Sequence, residues 1–277
     1  METNTTVKKV AYADKILLHM HPEKVLSYLP DLTDGQIANL YGMTLKAYTD
    51  AKTVYDNQAK QVATDLLLDN EFANKVALLP FKKADTILIL GESTTDALNS
   101  WAYILTHLLA QKRPQDSIKI INAGISGQTT TEALTRITAQ VKLNPDWVIV
   151  NLGANDCIRF GSEANKTTVS FSETINNLTT IRDIITGNTK ANVVWIAPVP
   201  VDEEKARRFP PFQANRLFLK NEDIMAIADN LNDSTDEVID LRNEFGTPAK
   251  GEFVQFDGIH LSLEGQKAIA VALINNL

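Results

Sequence analysis

The stretch Thr86-Ile87-Leu88-Ile89-Leu90-Gly91-Glu92-Ser93 decides the fold. A short, uninterrupted apolar run that ends in a glycine-containing turn reads as a β-strand buried on both faces. The same phrase recurs downstream. Residues 118–122 lead into Gly124-Ile125-Ser126-Gly127, and residues 147–152 lead into Gly153-Ala154-Asn155-Asp156. Residues 193–197 and 238–241 are further strand candidates. Helical stretches at 97–111, 131–143, 171–185 and 215–231 separate them, and a last helix covers 262–275. Apolar strands alternating with amphipathic helices imply a parallel sheet covered on both faces. With right-handed crossovers this becomes a doubly wound, three-layer α/β/α sandwich built on five parallel strands. Ligands bind outside the carboxyl ends of such strands, where all three glycine-containing motifs lie.

Residues 1–80 differ from this pattern. They show no strand alternation and predict a helical extension, followed by a catalytic domain over 81–277. Thr33-Asp34-Gly35-Gln36 is a capping-box signature. Apolar residues from Ile37 to Leu66 recur at helical spacing, so the expectation is one helix running to about Leu68 and a shorter one over 71–78. Residues 7–20 read as helical, and Pro22 suits the first turn of another short helix.

Composition excludes several functions. The formal net charge of −7 argues against nucleic acid as the main partner, because phosphate binding needs a basic face. A single cysteine, Cys157, rules out an intramolecular disulfide, and four histidines leave little room for a structural zinc site. No metal site is expected. No window approaches the length of a membrane span. Met1 to Val7 has no basic region leading into an apolar stretch, so a cytoplasmic protein is expected. The oligomeric state is left open. Gly124-x-x-Gly127 lacks the full dinucleotide fingerprint, so a nucleotide-binding reading is weak.

The strand-end motifs carry the chemistry. Ser93 follows the first strand and precedes a helix, which makes it a candidate nucleophile; an isolated serine there is more often only a helix N-cap. A serine hydroxyl needs a general base. His107 lies too far along the helix that follows Ser93, and His19 and His21 lie in the extension, outside the strand-end set. His260, in Asp257-Gly258-Ile259-His260, follows the last strand on the correct edge. Asp257 is placed to hold its Nδ1 proton and leave Nε2 for Ser93. For the negative oxygen of a tetrahedral intermediate, the candidate donors are the backbone N–H groups of Ser93 and Gly127 and the Asn155 side chain. Taken singly, the glycines and Asn155 read more readily as turn residues; their joint placement favours the oxyanion role.

These four motifs, in this order over residues 84–277, resemble those of the SGNH hydrolases, also called the GDSL esterase/lipase family. The resemblance implies a flavodoxin-like fold and cofactor-free hydrolysis through an acyl-enzyme, with Ser93, Gly127, Asn155 and His260 in the family's four roles and Asp257 completing the triad. The first motif departs from the family pattern: Glu92 stands where Asp usually precedes the serine, one methylene longer.

The resemblance leaves the substrate among acetylated sugars, short acyl esters, lysophospholipids and thioesters. The expected partner is a small-molecule ester, an acyl ester or an acetylated sugar, with a slight preference for a short acyl group. Arg207, Arg208, Phe209 and Phe212, in the loop after the fourth strand, are candidate pocket residues; a solvated loop with inward phenylalanines is an equal alternative. Two other functions stay open: an acyltransferase at the same site, and a catalytically weak binding or assembly protein, motivated by Glu92 and the extension.

Overall fold

In the computed structural model, residues 16–26, 32–161 and 166–277 are described. The central sheet has the strand order β2-β1-β3-β5-β7, with β1 Thr86–Gly91, β2 Lys119–Asn122, β3 Trp147–Asn151, β5 Asn192–Ile196 and β7 Glu237–Ile239. All neighbouring pairs are parallel. A separate antiparallel pair, β4 Arg159–Phe160 and β6 Leu217–Phe218, sits beside the site. The five expected strands are present within one or two residues of their expected ends.

Successive side chains of a strand point to opposite faces. Ile87, Ile89, Ile149, Val194, Ile196 and Ile239 enter one apolar cluster, together with helices Leu45–Leu66, Asn70–Leu78, Trp101–Lys112 and Leu263–Asn276. Leu88, Leu90, Val148, Val150 and Trp195 enter the other, against helices Thr130–Val141, Phe171–Asn188 and Asn221–Asn232. A sheet buried this way has no solvated face, which is why its strands lack polar alternation.

The extension differs from its sequence reading in one place. The single helix expected from residue 33 to 68 is two, Asp34–Leu40 and Leu45–Leu66. Gly42 takes a φ of +67° and stops the first. The Thr44 hydroxyl then accepts from the Ala47 N–H and caps the second. Thr33 and Gln36 form the expected capping box. Residues 16–19 are helical and Pro22 opens the helix Pro22–Val25, while the expected helical residues 7–15 lie outside the described residues. Ala59, Val62 and Ala63 of the long helix pack into the same cluster as Trp101, Ile104 and Leu105. The stretch after β5, expected to be a loop, folds into helices Glu203–Arg208 and Pro210–Asn215, capped respectively by the Asp202 carboxylate and opened by Pro210.

The turn after β1 is packed from several sides. Gln266, from the last helix, accepts from the Trp101 N–H and donates to the Thr94 carbonyl. Asn122 and Ser100 both donate to the Thr95 carbonyl. Gly91 lies so close to this turn that a Cβ on it would sit 2.2 Å from Thr95 Oγ1 and 2.4 Å from Thr95 Cβ. Gly91→Ala is therefore expected to lower stability by about 1–3 kcal/mol through overpacking. The check is the urea unfolding midpoint, and an unchanged midpoint would refute the close approach.

Candidate active site

A cavity of about 650 Å³ opens at the carboxyl edge of the sheet. Ser93, Gly127, Asn155, Asp257 and His260 all line it. Residues distant in sequence meet there because every parallel strand delivers its following loop to the same edge.

Ser93 starts the short helix Ser93–Asp96, but Glu92 occupies the N-cap position and no side chain makes a capping bond there. The Ser93 hydroxyl has no intramolecular partner among the described residues, so the capping alternative does not describe it. The Ser93 and Gly127 N–H groups likewise find no acceptor among the described residues. Gly127 takes a φ of +80°, a conformation that favours glycine and turns its N–H out of the local hydrogen bonding.

Asp257 does two things at once. Its Oδ1 accepts from the Ile259 and His260 N–H groups at 2.9 and 3.0 Å and shapes the turn. Its Oδ2 lies 2.7 Å from His260 Nδ1 and orients the ring. Burial opposes the charge of Asp257, but the His260 hydrogen bond and charge and the two N–H bonds outweigh it, and its carboxyl is held below the ordinary aspartate value.

Glu92 is buried behind the serine. Its Oε2 accepts from the Asn155 Nδ2 at 2.9 Å and from the Asn155 N–H at 3.3 Å. The other Nδ2 hydrogen goes to the Gln128 carbonyl at 3.0 Å. Asn155 is thus anchored by both amide hydrogens rather than forming a simple turn with its own backbone. Burial pushes the Glu92 carboxyl up to about 8, against the opposing Asn155 and Ala154 N–H bonds and with the help of the nearby Asp156 charge. Asp156, next in sequence, accepts from the Thr130 N–H and from the Thr130 and Thr174 hydroxyls, which tie the β3 turn to two helices.

The candidate pocket residues divide. Phe209 and Phe212 line the cavity. Arg207 and Arg208 are exposed outside it, and Arg208 pairs with Glu204 one helical turn away. Helix formation over Glu203–Arg208 turns the two arginines to solvent and the phenylalanines inward.

His19 is the residue that sequence reasoning misplaced. Its ring centroid lies 4.3 Å from that of His260, and it lines the cavity together with Ile16, Leu18 and Met20. Gln255 Nε2 lies 3.5 Å from its Nε2. Desolvation, followed by the repulsion of His260, depresses its pKa to about 3, so the ring is neutral beside His260. Neither His19 nor Gln255 stands in a motif, so no local signal in the sequence could have found them. His21 is also drawn in: its Nδ1 lies 2.7 Å from Asp96.

No group of three or more histidine, cysteine or acidic side chains among the described residues is arranged to hold a metal ion. No helix among them is long and apolar enough to cross a membrane.

The site lies in a cavity at the carboxyl edge of the sheet, and the family match places the chain among the serine ester hydrolases. The profile of the GDSL-like Lipase/Acylhydrolase family matches residues 89–268, and the chain belongs to that family. It is 30% identical over 208 residues to the thioesterase 1/protease 1/lysophospholipase L1 of Escherichia coli strain K12, covering 70% of this chain and 85% of that protein. Among solved structures, it resembles an acetylxylan esterase from Geobacillus stearothermophilus with a TM-score of 0.53 at 19% identity, covering 70% of this chain and 94% of the esterase. An alpha/beta hydrolase enzyme from the metagenome of Lake Arreo, Spain, gives a TM-score of 0.52 at 18% identity, covering 71% and 96%. Both structural likenesses concern the fold.

The raised Glu92 carboxyl makes a signed prediction. From the unfolded value of 4.5 up to about 8, the unfolded chain releases this proton before the folded protein does, so Glu92 lowers stability as pH rises through that window. Glu92→Gln keeps an acceptor for Asn155 but has no proton to lose. Its urea midpoint is expected to rise relative to wild type between about pH 5 and about pH 8. A constant difference between the two proteins would contradict the shift.

Proposed function

We propose that the protein hydrolyses a carboxylic ester through an acyl-enzyme formed on Ser93. The observation that carries the reading is the 2.7 Å contact between Asp257 and His260 Nδ1, on the wall of the cavity that also holds the serine. Asp257 fixes the tautomer with Nε2 unprotonated. His260 Nε2 takes the Ser93 proton as the hydroxyl attacks the acyl carbon, then returns it to the leaving alcohol. Water, deprotonated by the same nitrogen, attacks the acyl-enzyme and releases the acid.

The tetrahedral oxyanion is met by the Ser93 and Gly127 N–H groups, both without another acceptor among the described residues. Asn155 supplies the third donor by sharing an amide hydrogen it now gives to Glu92 or the Gln128 carbonyl. Glu92, neutral over most of the physiological range, holds Asn155 without placing a full negative charge behind the oxyanion.

The acyl group is the part of the substrate that the cavity recognises. Its walls are mainly apolar side chains, among them Leu18, Val201, Phe209, Phe212, Leu219 and Ile259. A volume of about 650 Å³ falls within the roughly 300–1,000 Å³ range of drug-sized ligand sites. A short acyl group would leave much of this surface uncovered, and an acetylated sugar would bring several hydroxyls to walls that offer polar partners at only a few positions, such as Thr94, Ser126 and Gln255. An apolar acyl chain longer than acetyl, on an oxygen ester or a thioester, fits better. The name of the Escherichia coli relative, a thioesterase and lysophospholipase, agrees with that chemistry.

The test is hydrolysis of p-nitrophenyl esters from acetate to laurate by wild type and Ser93→Ala. Wild type is expected to favour an intermediate or long chain, and Ser93→Ala to lose activity by about 10³-fold or more while staying folded. Equal rates in the two proteins would overturn the Ser93 mechanism. A preference for acetate would overturn the acyl-chain assignment.

A further inference from the structure

Asp96 stands three residues beyond the serine and is almost fully buried. Its two carboxylate oxygens face different parts of the molecule. Oδ2 accepts from the Ser126 N–H at 2.8 Å, inside the turn that carries Gly127. Oδ1 accepts from Lys24 Nζ at 2.5 Å and lies 2.7 Å from His21 Nδ1, both in the N-terminal segment. Lys24 then reaches past the carboxylate to the Gly124 carbonyl at 3.0 Å, in the same turn.

The segment around these two residues lies against the site. The Leu98 N–H donates to the Leu18 carbonyl at 3.1 Å. Leu17 and Leu18 pack with Ala97 and Leu98, directly after the short helix that Ser93 begins. Between Leu18 and His21, His19 is laid on the His260 ring.

We propose that Asp96 is a positioning residue that couples residues 16–26 to the ester hydrolase centre, holding the Gly127 turn with one oxygen and, with the other, the segment that buttresses His260. The inference rests on the Ser93 hydrolase reading. Asp96, His21 and Lys24 do not touch the reacting atoms. They set the place of two groups that do, the Gly127 N–H and the His260 ring. Misplacement of an oxyanion donor or a base weakens transition-state stabilisation more than ground-state binding. Loss of the latch therefore acts on kcat.

The experiment compares wild type with Lys24→Met, Lys24→Arg and Asp96→Asn in the full chain, using steady-state kinetics on the best p-nitrophenyl ester and amide hydrogen exchange resolved to residues 16–26 and 124–127. Lys24→Met and Asp96→Asn are expected to lower kcat by about tenfold or more with KM changed by no more than about twofold. Exchange should quicken in both segments together, and Lys24→Arg should restore most of the kcat and the protection. If Asp96→Asn does not fold, the Lys24 pair decides, because Lys24 lies at the edge of the core. A kcat within about twofold of wild type in folded Lys24→Met, or faster exchange in 16–26 alone with 124–127 unchanged, overturns the proposal. If wild type hydrolyses no ester, the function reading fails on its own and the exchange comparison still decides the coupling.

Discussion

A parallel sheet with both faces covered is the constraint on which everything else rests. Its strands run the same way, so every connection must cross back over a face as a helix, and every loop after a strand emerges at one edge. That edge collects Ser93 from the end of β1, Gly127 from β2, Asn155 from β3 and the Asp257–His260 turn after β7. The faces carry only packing: Ile87 and Ile89 on one side, Leu88 and Leu90 on the other. The candidate site and the packing thereby fall on different parts of the same strands.

At the edge, buried carboxylates take two different characters. Asp96 and Asp257 are each met by a cationic or titratable partner and by backbone N–H groups, and both are held below the ordinary aspartate value although burial opposes their charge. Glu92 and Asp156 are met by amides and hydroxyls instead, and burial prevails, lifting both. The ionised pair lies where a fixed charge is useful, orienting His260 and binding Lys24. Of the lifted pair, Glu92 lies behind Asn155 with its carboxyl pushed up to about 8, and Asp156 lies next to it in sequence, held by the Thr130 and Thr174 hydroxyls.

Most of the sheet and much of the site could be read from local sequence. The strand at 86–90 needed only its unbroken apolar run, and the turn at 257–260 only its Asp-Gly-x-His spacing. The reading lapsed where the outcome depended on distant atoms. Periodicity from Ile37 to Leu66 continues across Gly42, so the pattern alone gives no break there; the break comes from a positive φ and the Thr44 cap. Arg207 and Phe209 were equal candidates until the helix Glu203–Arg208 sent one outward and the turn after it sent the other inward. Glu92 could be seen to be one methylene longer than the family's aspartate, but not that its carboxylate would take the Asn155 amide.

The sequence by itself determined the layer architecture, the order of the strand-end motifs and which serine, histidine and aspartate are the candidates, because hydrophobic period and short-range turn chemistry are local properties. Only the tertiary structure decided what surrounds them: that His19 rests on His260, that Asp96 joins the extension to the Gly127 turn, and that the cavity is apolar. The His19–His260 contact joins the two ends of the β-α succession, and the Asp96 contacts join the extension to turns after β1 and β2. No local spacing encodes them, since they exist only once the extension has packed against the edge that the sheet creates.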